Sequence, residues 1–150
     1  MRVEKNYVDY GFGFPVVIDE VQIESWRKEE IPLIESDELE RVLLHKLAFL
    51  PARLTGNQVR FIRHHFFETL EEFARKAGVR HSAVMKWERA ADGPTSMTWG
   101  TEFLIRSRAL ADAEPAAEEV LAFSSFFESP PEGAQESLFL SLPACAKSSS

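Results

Sequence analysis

His81, Ser82, Met85, Lys86 and Arg89 stand at positions i, i+1, i+4, i+5 and i+8 of one stretch. If that stretch is helical, they share one face. Lys86 and Arg89 are cationic donors, Ser82 and His81 can donate and accept, and Met85 offers an apolar contact. Such a face can grip an anionic, acceptor-rich surface. His45, His64, His65 and His81 show no HExxH or other metal spacing, and neither a Gly-rich phosphate loop nor GxSxG occurs. The single Cys145 excludes an internal disulfide framework and a CxxC zinc site. No catalytic residue, metal or cofactor is expected, and neither is an enzyme.

The elements that must position this face are also legible. Thr69 suits a helix N-cap, and Glu72, three places on, completes a capping box. Leu70, Phe73, Ala74 and Ala77 then form one apolar stripe. Gly78 tolerates the positive φ of a helix end, and Val79 seals the bend. A second helix follows from His81 to about Glu88 or Arg89, with Val84 and Trp87 inward. An ordinary pair of packed helices shares this signature. So does a helix-turn-helix, which presents its second helix to the DNA major groove. Upstream, Thr55 suits the cap of another helix, with Val59, Ile62 and Phe66 inward.

With that entry, Leu54-Thr55-Gly56-Asn57-Gln58-Val59-Arg60-Phe61-Ile62-Arg63, residues 53–113 resemble the Cro/repressor-like (XRE) helix-turn-helix family. The L-T-G-x-x-x-R-F-x-R pattern is similar to that of MqsA- and HigA-type antitoxin regulators. The resemblance implies a mainly α fold: a five-helix, lambda-repressor-like DNA-binding domain preceded by a small β-hairpin plus helix. It implies that Arg63 pairs with Glu88 to fix the angle between helices. It further implies a homodimer on double-stranded DNA, reading a palindromic operator with half-sites ~10 bp apart, and a toxin protein as second partner. Lys86 and Ser82 are then the candidates for base edges, Met85 for a thymine methyl, and His81 for a base or a phosphate. Arg80, Arg89 and the helix start at Thr69 would position phosphates.

Three residues depart from the family. Leu70 replaces a Gln that often braces the recognition helix on a phosphate. Arg80 occupies the usual Ser/Thr cap, and Phe67 falls where a Gly often ends the first helix. The zinc-binding cysteines of MqsA-type proteins are missing, so zinc is not carried over.

Net charge is −7, which argues against a nucleic-acid binder until it is divided. Residues 1–52 hold 6 basic and 11 acidic side chains, and residues 114–150 hold 1 and 6. Residues 53–113 hold 10 and 7, so a basic middle lies between acidic ends. The excess is modest, which also suits a protein-interaction adaptor with a degenerate helix-turn-helix.

The organisation expected is a small α+β unit over 1–52, the DNA-binding domain over 53–113, a helix over 114–128 and a flexible tail over 129–150. In the first unit, Tyr7–Tyr10, Val16–Ile18 and Val21–Ile23 read as short antiparallel strands with a turn at Asp19-Glu20, followed by a helix capped by Ser36. A partner surface, a dimerisation element and a packing cap are all open roles for it. Trp99, Phe103, Leu104 and Leu110 are expected inward on a fourth helix, with Arg106 and Arg108 outward. No apolar run approaches the ~20 residues of a membrane span, and the N-terminus lacks a signal core, so a cytoplasmic location is expected.

Overall fold

Strand β1 (Arg2–Asp9) and strand β2 (Val16–Trp26) pair antiparallel, from Arg2 opposite Ile23 to Asp9 opposite Val16. A two-residue turn at Arg27-Lys28, with φ of 50° and 67°, returns the chain as β3 (Glu29–Leu33) on the other side of β2. Helices α1 (Ser36–Ala48), α2 (Gly56–His65), α3 (Leu70–Ala77), α4 (His81–Arg89), α5 (Trp99–Asp112) and α6 (Ala117–Ser124) follow. Finally β4 (Leu138–Leu140) lies parallel to β2, with Val17 opposite Phe139. This computed structural model describes residues 2–142; Cys145 and the last part of the expected tail lie outside them.

The expectation of a mainly α, five-helix fold is therefore corrected. The described residues form six α-helices and a four-stranded mixed sheet, an α/β arrangement. Two features of the strands account for the difference. Asp19-Glu20 is not a turn: β2 runs through it, and the Asp19 carboxylate accepts from the Glu20 N–H (2.8 Å) and the Ser141 hydroxyl (2.7 Å). The reversal falls instead at Arg27-Lys28, residue types that seldom take a left-handed pair. The second cause is Leu138-Phe139-Leu140, expected within a flexible tail, which buries its two leucines as a strand.

β2 has an unusual face pattern. Val16 and Ile18 are buried, then Val21 and Ile23, so the inward parity changes across Asp19-Glu20. In β1, Asn6 has φ 55° and no partner in the ladder, which resumes on both sides of it. Inward residues of the sheet join α1 through α5 in one core that includes Val16, Ile18, Leu43, Val59, Phe73 and Val84. Residues 1–52 thus share their core with the helices that follow.

The connector between α1 and α2 is held by a buried ion pair. Arg106, expected outward, is fully buried beside Glu102. Its guanidinium donates to the carbonyls of Ala48, Leu50 and Ala52, while Glu102 accepts from the Leu54 N–H (3.1 Å) and Arg53 (2.8 Å). Buried carbonyls beyond a helix end require donors, and Arg106 supplies them. Residues after α6 return to the same connector: the Gly133 N–H donates to Pro51 (3.0 Å) and Gln135 donates to Arg53 (2.6 Å). Among the described residues, no helix is long and apolar enough to cross a membrane.

Candidate nucleic-acid interface

The site is built on α3, a three-residue turn and α4. Thr69 caps α3: its hydroxyl accepts from the Glu72 N–H (3.1 Å), and the Glu72 carboxylate accepts from the Thr69 N–H (3.2 Å). Gly78 ends the helix at φ 73°, a conformation glycine adopts without a Cβ penalty. The Val79 N–H then donates to the Ala74 carbonyl (2.9 Å), closing the turn. α4 starts after Arg80, and among the described residues no side chain caps it. Its first-turn N–H groups therefore present the positive end of the helix dipole to whatever lies outside.

α4 packs by Val84, Trp87 and Glu88, all buried. His81, Ser82, Lys86 and Arg89 are exposed on the opposite side, with Met85 half-buried between. The helical face read from the sequence is thus one continuous surface. Arg80 is exposed at the head of that helix, and Thr69 at the head of α3. Leu70 is half-buried against the core, and Phe67 is left-handed (φ 54°) and 95% exposed.

Two contacts set the position of α4. Arg63 donates through Nε to Glu88 Oε2 (2.6 Å) and through Nη2 to Oε1 (2.9 Å), and Arg60 adds a third bond (3.1 Å). Arg63 also donates to the Glu68 carbonyl (3.0 Å), so one guanidinium ties α2 to α4 and to the entry of α3. Burial opposes ionisation of Glu88, but the hydrogen bonds and charges of Arg63 and Arg60 outweigh it and hold its pKa below the usual carboxylate range. The second contact is steric. A Cβ at Gly56 would lie 2.2 Å from the Trp87 carbonyl oxygen, so glycine permits α2 to start against the end of α4.

Electrostatics divide the cations of residues 53–113 into two sets. Arg53, Arg60, Arg63, Lys76, Arg106 and Arg108 are all in internal ion pairs, with Glu102, Glu88 or Glu68. Arg75, Arg80, Lys86 and Arg89 have no ion-pair partner among the described residues and are exposed. All four lie on α3, the turn or α4. The sequence reading missed Arg75 as a candidate. It also could not separate the two sets, because internal pairing joins residues up to 49 positions apart (Arg53 with Glu102). Glu68 was missed too: it is buried, bonded to Lys76 and Arg108, and its Oε1 has no hydrogen-bond partner among the described residues.

No group of three or more His, Cys, Asp or Glu side chains among the described residues is placed to hold a metal ion. Comparison with protein-family models, with curated proteins and with solved structures finds no match to this chain.

Proposed function

We propose that this protein is a sequence-specific DNA-binding transcriptional regulator that uses the outer face of α4 in the major groove. The observation that carries the reading is the placement of the cations of residues 53–113 that have no ion-pair partner among the described residues: Arg75, Arg80, Lys86 and Arg89 all fall on the α3–turn–α4 unit. Lys86 and Ser82 contact base edges, with Met85 beside a thymine methyl and His81 on a base or phosphate. Arg80, Arg89 and the Thr69 helix start hold the backbone. Two copies on a palindromic operator place two α4 helices about one turn, ~10 bp, apart.

The L-T-G-x-x-x-R-F-x-R resemblance extends the proposal to an antitoxin-like repressor acting in the cytoplasm with a toxin protein as partner. A small toxin-like gene immediately beside its own would support that extension. A plain regulator would lack it.

The division of roles is testable. Lys86→Ala should relax specificity at one base pair, at a cost of ~1–3 kcal/mol for the preferred sequence. Arg89→Ala should weaken binding to all sequences alike and flatten the salt dependence. Equal effects of both variants on every sequence would overturn the assignment. A protein-interaction adaptor is the second reading. It is favoured by Leu70 in place of a phosphate-bracing Gln and by the internal pairing of six of the ten cations in residues 53–113.

A further inference from the structure

β1 is an outer strand of eight residues, and among the described residues it pairs only with β2. Its other edge presents unpaired backbone N–H and C=O groups, a template for another strand. We infer that this edge pairs antiparallel with β1 of a second copy, about a two-fold axis between Lys5 and Asn6. The inference names a surface for the dimer of the proposed function, and its test involves no DNA.

The sequence of β1 is complementary to itself in that register. Arg2 falls opposite Asp9 of the second copy, Val3 opposite its Val8, Glu4 opposite its Tyr7, and Lys5 opposite its Asn6. The outermost pair is of opposite charge and adds to contacts each group already makes in its own chain, Arg2 with Glu30 (2.6 Å) and Asp9 with the Gly11 N–H (2.6 Å); the next pair is apolar on both sides, and both kinds stabilise cross-strand neighbours. Val3 and Val8 are 56% and 39% exposed in the single chain.

The face switch at Asn6 makes the register consistent. Arg2 and Glu4 stand opposite buried Ile23 and Val21, and Tyr7 and Asp9 stand opposite buried Ile18 and Val16. Val3 and Val8, opposite Gln22 and Val17, therefore share the other face. Opposed residues in an antiparallel pair lie on one side of the sheet. Only a strand that changes parity between residues 4 and 7 can place Arg2 with Asp9 and Val3 with Val8 on matching faces. Asn6 interrupts the ladder at the axis, and β1 already pairs with β2 across the same interruption.

The test uses the full chain with Cys145→Ser. Val3→Cys combined with Val8→Cys should oxidise to a covalent dimer. Neither single variant should, because identical residues of the two copies lie five positions apart, ~17 Å along the strand. Sedimentation should give a dimer for the unmodified chain, a monomer for Val3→Glu, and a dimer again when Val8→Lys is added. Circular dichroism checks that the exposed substitutions leave the fold intact. A monomeric parent, a dimer indifferent to Val3→Glu, or equal cross-linking of the single-cysteine variants would overturn the inference.

Discussion

Glu88 is 5% exposed and carries two arginines, and Arg63 beside it is 14% exposed. Neutralising one partner of such a pair strands the other charge in a poorly solvated place. Glu88→Gln should therefore lower stability by ~3 kcal/mol, read as a shift in the urea midpoint. An unchanged midpoint would mean that the pair is energetically idle. His65 gives a pH-dependent prediction. It bridges Glu40 of α1 and Asp112 of α5. Burial pushes its pKa down, but the hydrogen bonds and charges of the two carboxylates outweigh that and raise it above the usual histidine value. A raised folded pKa stabilises the fold fully below the unfolded value, ~6.5, and that contribution is lost as pH rises through the folded pKa. The melting temperature should fall over that alkaline limb, and His65→Gln should flatten it. Identical pH profiles for the two proteins would contradict the bridge.

α2 and α4 meet at Gly56, where added atoms would strike backbone rather than a movable side chain. Gly56→Ala should destabilise the protein by ~1–3 kcal/mol through forced separation of the two helices, measured by urea unfolding. Wild-type stability would show that the helices can shift freely. This level also shows what the sequence reveals. The Thr55 and Thr69 caps and the Gly78 turn are written within four residues of the groups they satisfy, so they are readable locally. The parallel pairing of β4 with β2 joins residues 122 positions apart, as Val16 meets Leu138, and nothing local encodes it. Arg106 eluded a helical-wheel reading for a related reason. The wheel records polarity, whereas its burial is set by three carbonyls on a distant connector. The Asp19-Glu20 step misleads because its turn-like residues serve a strand whose face changes there.

At the scale of the whole molecule, net charge alone gives the wrong impression. The chain is −7, with acidic residues concentrated in its two ends. Within residues 53–113, internal pairs absorb the cations of α2, α5 and the connector together with Lys76 of α3, and leave four on α3, the turn and α4. So few free cations imply weak non-specific affinity, and recognition then depends on base contacts and on two copies acting together. The helical face at residues 81–89 was legible because spacing alone defines it. Its electrostatic setting was not, because it depends on which charges the fold cancels. The most direct test is a gel shift of the protein with the DNA upstream of its own gene, titrated with salt. A discrete complex should form, weaken steadily as salt rises and be reduced by Lys86→Ala. No complex at low salt, with the protein folded, would contradict DNA binding and favour the adaptor.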